Sequence, residues 1–389
     1  MISNISIKEV GKTLGYCLLG LTIMFFVGCA PRGPMGSPSY TRHNVLAFSP
    51  DGQFLADGKH IQNRVDLYEV HIDDKPHLEQ VRTLKGSSGS IKTVRSVAWS
   101  PDGTQLATAG LDDTVIIWNP QTGEEERRFP DLIGVEALTF LPDGLSLAMA
   151  GPDSFVRIWN IENNSLIAEL RGHTAPVLTI DVSTNGDLLA TAGSDRTIRL
   201  WRAEDWSLMR VLEGHQEPIL AVDFSPDGRL LLSSSNGTDI RLWKLTNNID
   251  EKETPVTDVA AITASMEKES QVSEFVLVLA TAASIAATGS PGTYGGPAMT
   301  SGGKGQRQTF FNCPAKFSPD GKQIAFIQQS DMFSLGSHHI KVLDAKSFKL
   351  INRFDDYLGA LDYHPSGTFL AAAGTLMLKL LVPSTGETY

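Results

Sequence analysis

The sequence predicts an all-β fold: a seven-bladed β-propeller of four-stranded antiparallel blades, with an insertion between blades 5 and 6. Three observations carry this expectation. A short apolar strand followed by a Ser-Pro-Asp-Gly-like turn recurs seven times. Each copy is followed by further strand-like segments with turn punctuation and no competing helical periodicity. The copies stand about 40–45 residues apart, the period of a four-stranded blade.

The turns, in order, are Phe48-Ser49-Pro50-Asp51-Gly52, Trp99-Ser100-Pro101-Asp102-Gly103 and Phe140-Leu141-Pro142-Asp143-Gly144. Val182-Ser183-Thr184-Asn185-Gly186 and Phe224-Ser225-Pro226-Asp227-Gly228 follow. The last are Phe317-Ser318-Pro319-Asp320-Gly321 and Tyr363-His364-Pro365-Ser366-Gly367. Proline presets φ and glycine supplies φ > 0, so each copy reads as a tight hairpin turn. Downstream lie a second apolar strand, such as Leu188–Ala192, and a third ending in a large residue, such as Thr197–Trp201. A fourth follows, such as Leu208–Leu212.

The period roughly doubles between Gly228 and Gly321. The segment 250–308 is read as an insertion, with a Gly/Ser/Pro-rich loop over Gly289–Gly305. A degenerate extra blade around Phe275–Ala283 is the competing reading. The insertion is preferred because no turn motif or Trp-like third strand can be placed there. At the other end, little chain remains for a fourth strand after Met377–Val382. The resemblance given below implies that a strand from about Met35–Arg42 is lent to the last blade, closing the ring.

Composition bounds the function. The 389 residues are 41% hydrophobic, enough for a sizeable core, and the formal net charge is −11. That balance argues against a nucleic-acid partner, which needs a basic patch or stripe. Of the three cysteines, Cys17 and Cys29 fall in the N-terminal segment, so no internal disulfide framework is expected. Cys313 reads as a small buried hydrophobe beside Phe310 and Phe311 rather than a nucleophile.

Residues 1–28 read as a secretory signal: Lys8 and Lys12, then an apolar stretch from Leu14 to Val27. Its ending, Phe26-Val27-Gly28-Cys29, resembles the lipobox of bacterial lipoproteins. That resemblance implies acylation at Cys29, a short tether over 29–34, and the propeller over 35–389. Ala30 after the cysteine implies a lipid-anchored protein of the bacterial cell envelope, on the outer membrane and facing the periplasm. An uncleaved transmembrane anchor is the alternative.

The repeats resemble the WD-repeat family. In blade 4 the family's structural tetrad is complete: His173 after Gly172, then Thr191, Asp195 and Trp201. Blade 2 keeps Thr108, Asp112 and Trp118; blade 3 keeps Asp153 and Trp159. Blade 5 keeps His215, Ser233 and Trp243, with Gly237 where the family has Asp. Tyr68, Leu343 and Leu381 stand at the Trp position of blades 1, 6 and 7, and no Trp-Asp dipeptide occurs. The resemblance makes His173, Thr191 and Asp195 structural rather than a catalytic set.

The expected function is a membrane-tethered, non-catalytic scaffold that binds a protein or peptide partner. No metal-ligand cluster, phosphate-cradling loop or activated nucleophile is visible, so no cofactor or metal is expected. The alternative is a cell-envelope propeller hydrolase with its site near the insertion. The short tether implies that the turns between third and fourth strands lie toward the lipid. The partner is then expected on the opposite face, at Leu111, Pro152, Ser194, Thr174 and Gln216.

Overall fold

The computed structural model describes residues 44–59, 62–72, 75–85, 94–110, 113–129, 132, 134–235, 239–245, 255–258, 314–329, 338–355, 359–373 and 378–389. The chain forms seven antiparallel sheets arranged as the blades of a ring. Strand order in every sheet follows chain order, so each blade is an up-and-down meander. The inner strands are Asn44–Phe48, Val94–Trp99, Ala137–Phe140, Val177–Val182, Ile219–Phe224, Ala315–Phe317 and Leu361–Tyr363. Each inner strand meets the next, and the last meets the first.

The turn chemistry read from the sequence makes the first hairpin of each blade. In blade 1 the Ser49 hydroxyl donates to Asp51 Oδ1 at 2.6 Å and accepts the Phe54 amide at 2.9 Å. The Gly52 amide donates back to the Ser49 carbonyl at 2.9 Å, with Gly52 at φ +74°. Only glycine adopts that φ without steric cost.

Apolar side chains gather in seven clusters, one at each joint between neighbouring blades. A blade is therefore packed on both faces. That explains the continuous buried runs of the second strands, such as Leu106–Gly110 and Ser146–Ala150, where a half-exposed strand would alternate. Alanines dominate these runs and let the sheets approach closely. The outer strands face solvent and carry charge, as in Glu125–Phe129.

Two expectations about the ring are corrected. The segment read as the start of the insertion contains the outer strand of blade 5, Pro255–Asp258, with Trp243 opposite Pro255 and Arg241 opposite Asp258. It escaped notice because a solvent-facing edge strand needs no apolar run and tolerates proline. An additional blade has no place in the ring, because blade 5 packs directly on blade 6: Leu232, Ile240 and Leu242 meet Ala315, Phe317 and Ile324. The segment read as its core, Phe275–Ala283, lies outside the described residues, as does Cys313.

The second correction concerns closure. The edge of blade 7's third strand, Leu378–Leu381, is already occupied by Glu387–Tyr389. Leu380 and Tyr389 exchange two backbone hydrogen bonds at 3.0 and 2.8 Å, and the Val382 amide donates to the Glu387 carbonyl at 2.9 Å. A strand from Met35–Arg42, which lies outside the described residues, would need those same groups. The described seam between blades 7 and 1 is held by packing and two polar clamps. The Phe48 amide donates to Asp362 Oδ2 at 2.8 Å, and His364 Nε2 meets the Gly52 carbonyl at 3.1 Å. Leu46, Phe48 and Leu55 pack there against Ala360, Ala371 and Leu380. The expected orientation toward a bilayer rested on the lent strand and loses its footing with it.

Candidate protein-interaction face

In blade 4 the four side chains singled out in the sequence form one hydrogen-bonded chain. Trp201 Nε1 donates to Thr191 Oγ1 at 2.9 Å, and Thr191 Oγ1 lies 2.8 Å from His173 Nε2. His173 Nδ1 lies 2.7 Å from Asp195 Oδ2. A neutral imidazole with its proton on Nδ1 satisfies every group: Trp gives to Thr, Thr to His, and His to Asp. Burial pushes the Asp195 carboxyl up, but hydrogen bonds from His173 and Thr197 outweigh it and hold it at about 2. Thr191 is fully buried and Trp201 is 3% exposed, so the set joins the third strand to the loop entering the blade.

Blade 5 builds the same chain with one change that the sequence reading missed. Trp243 Nε1 donates to Ser233 Oγ at 2.8 Å, which lies 2.7 Å from His215 Nε2. Asp239, two residues beyond Gly237, takes the acidic position, its Oδ2 2.8 Å from His215 Nδ1. Arg241 braces it at 2.9 Å. Burial opposes ionisation, but His215 and Arg241 together hold Asp239 below its ordinary value. Asp239→Asn is expected to lower the unfolding free energy by about 1–3 kcal/mol, the cost of leaving a buried donor poorly matched. A urea midpoint equal to wild type would show that His215 is held without it.

Elsewhere the chain is partial. In blade 2 Trp118 Nε1 donates to Thr108 Oγ1 at 2.8 Å, while Asp112 and Leu111 lie outside the described residues. In blade 3 Met149 stands where the hydroxyl should be, so Trp159 Nε1 turns to Asn164 Oδ1 at 3.1 Å. Asp153 pairs instead with Arg157 at 2.7 Å. Blade 1 replaces the set with ion pairs. Asp57 faces Asp66 across the second and third strands, with Lys59 on the one and Arg64 on the other. Burial pushes Asp57 up against the pull of Lys59.

These buried chains fix the loops on one face of the ring. Thr174 follows His173 and is exposed, its amide donating to Asp195 Oδ2 at 3.2 Å. Ser194 precedes Asp195 and is half-buried, its amide on the Pro176 carbonyl at 2.8 Å. Gln216 follows His215 and is exposed, its Nε2 donating to the Gly214 carbonyl at 3.0 Å. Arg196, which the sequence reading did not single out, links blades 4 and 5: its Nη1 donates to the Gln216 carbonyl at 3.3 Å. Pro152 is exposed on blade 3, against Gly134. Arg171, 71% exposed, pairs with Glu169 at 2.6 Å and lies over the Phe155 ring at 4.7 Å. The face thus offers polar and cationic groups on loops held by the buried chains of blades 4 and 5.

Three stretches of the chain, residues 78–119, 164–202 and 206–244, match the family described as WD domain, G-beta repeat. Among curated proteins the chain is similar to Protein HIR1 of Candida albicans, 34% identical over 102 residues, 23% of this chain and 11% of that protein. It is also similar to Cilia- and flagella-associated protein 57 of Mus musculus, 36% identical over 72 residues, 18% of this chain and 6% of that protein. The matched stretch is about a tenth or less of those relatives. Among solved structures it resembles the Cps50 (Swd1) β-propeller domain of Myceliophteria thermophila, with a TM-score of 0.62 and 16% identity. The likeness covers 90% of this chain and 99% of that one. The placement expected from the N-terminus, in a bacterial envelope, is overturned: the matching HIR1 proteins are fungal. The matches lend no support to a membrane tether, and Cys29 lies outside the described residues. The chain has the seven-bladed β-propeller fold, and three of its stretches match the WD domain, G-beta repeat.

Proposed function

We propose that this chain is a non-catalytic scaffold that holds a protein or peptide partner on the face carrying Thr174, Ser194, Gln216 and Pro152. The observation that supports this is the division of labour in blades 4 and 5. The buried His, Asp and hydroxyl groups are spent on one another, while Thr174, Arg196 and Gln216 stand exposed on loops those groups hold rigid. Rigid, exposed polar groups bind without a large ordering cost. A guanidinium such as Arg171 or Arg196 suits a partner that presents carboxylates or backbone carbonyls.

The test is panning of a random peptide library on the purified full chain. Peptides enriched on wild type should be lost by a variant combining Thr174→Lys, Arg196→Glu and Gln216→Ala. They should be retained by Arg229→Glu with Lys322→Glu, exposed charges on the turns of the opposite face. Loss on the second variant and retention on the first would overturn the assignment of the face.

A further inference from the structure

The inner strands carry a feature that neither the repeat nor the interaction face uses. The next-to-last residue of the inner strand occupies the same register in all seven blades. In blades 1, 2 and 3 it is uncharged: Ala47, Ala98 and Thr139. In blades 4, 5, 6 and 7 it is Asp181, Asp223, Lys316 and Asp362. At this register the charge is confined to blades 4 to 7; the Arg95–Glu136 pair of blades 2 and 3 stands at other positions.

The three aspartates reach across blade joints. Asp181 Oδ2 accepts the Phe224 amide at 2.7 Å, joining blade 4 to blade 5. Asp223 Oδ2 accepts the Phe317 amide at 2.7 Å, joining blade 5 to blade 6. Asp362 Oδ2 accepts the Phe48 amide at 2.8 Å and so spans the seam where the ring closes. Lys316 pairs with Asp223 at 3.0 Å. Among the described strands packed most closely against these four, the one further ionisable side chain is Tyr363, next to Asp362. The neighbours of Asp181 are Leu188–Gly193, Ala137–Phe140 and Ser146–Ala150, all uncharged, and the strand of Asp223. Asp223 and Lys316 add Leu230–Ser235 and Gln323–Gln329, and Asp362 adds Leu370–Ala373 and Asn44–Phe48, again without an ionisable group. Three carboxylates therefore share one ammonium.

We propose that these four side chains are a proton-linked lock on the ring, tightest when Asp181 and Asp362 carry protons and loosened when both ionise. With both protonated, the remaining Asp223–Lys316 pair is neutral overall and every cross-joint amide keeps its acceptor. With both ionised, two more half-buried carboxylates repel Asp223 and each other around the single ammonium. The energetics agree in direction. Burial, then the charge of Asp223, pushes Asp181 up to about 7. Burial pushes Asp362 up to about 6. The charge of Asp223, more than any other group, holds Lys316 firmly protonated. Acids raised in the folded state bind more protons folded than unfolded, so stability falls as pH rises from about 4 to about 7.

The experiment is the thermal midpoint of the full chain at about pH 5 and about pH 8, for wild type and for Asp181→Asn with Asp362→Asn. Asparagine keeps an acceptor for Phe224 and Phe48 and removes the charge. Wild type should lose about 3 °C or more over that range, and the double variant should lose markedly less. An equal fall in both would overturn the lock. Because the variant could fail to fold, wild-type chain labelled at aspartate carboxyl carbons provides a second reading by NMR. Two aspartates should titrate between about pH 5.5 and 7.5; titration of every aspartate below about pH 5 would overturn the lock equally.

Discussion

Trp201→Ala is expected to lower the unfolding free energy by about 3–5 kcal/mol, as truncation of a buried tryptophan does. Trp206→Ala is expected to cost less than half of that. Both indoles belong to blade 4 and lie only five positions apart, so the comparison isolates environment. Trp201 is 3% exposed, packs in the joint between blades 3 and 4, and donates to Thr191. Its loss leaves a cavity and removes one end of the Thr191–His173–Asp195 chain. Trp206 sits in the turn after the third strand at φ 59° and is only partly buried against the same joint. Urea midpoints of the two variants check this, and equal midpoints would contradict it.

Gly52→Ala is expected to cost about 2–5 kcal/mol, while the same change at the equivalent turn position Gly228 costs only about 1–2 kcal/mol. Both glycines have positive φ, +74° and +67°, so both substitutions carry the backbone penalty. They differ in what a methyl group would meet. At Gly228 nothing lies within 4 Å. At Gly52 the added carbon would lie 2.2 Å from His364 Nε2 and 2.7 Å from its Cε1. His364 is 5% exposed and held between the Gly52 carbonyl and Ser366, so it cannot step aside without breaking a clamp of the seam. Limited proteolysis should then cut Gly52→Ala faster than Gly228→Ala. Equal rates and equal midpoints would show that the seam tolerates the strain.

The fold was legible because its signals are local. A Ser-Pro-Asp-Gly turn and a run such as Leu-Ala-Thr-Ala-Gly reflect hydrogen bonds and burial within a few residues. What escaped the sequence lay in relations between residues far apart. Asp239 replaces the missing acid at Gly237 because the loop after Ser233 brings it to His215, and no fixed spacing announces that. The missing hydroxyl of blade 3 was legible, but the turn of Trp159 toward Asn164 was not. The charged half of the inner wall went unnoticed because Asp181, Asp223, Lys316 and Asp362 are separated by 42, 93 and 46 positions. Only the packing of successive blades brings them together. The outer strand Pro255–Asp258 was invisible for the opposite reason, since an edge in water demands little of its side chains.

The boundaries of the three matched stretches follow the joints of the architecture in an uneven way. Residues 164–202 begin at the outer strand of blade 3 and end with the third strand of blade 4; residues 206–244 repeat that step from blade 4 to blade 5. The unit of sequence is thus out of phase with the unit of structure by one strand. Excision of one unit from the middle would therefore leave no stump. The third strand of blade 3, Val156–Asn160, would run directly into Leu208–Glu213, which is already shaped as an outer strand. Duplication would heal in the same manner. Blade number in such a ring can change by whole steps of tandem copying while every sheet stays complete.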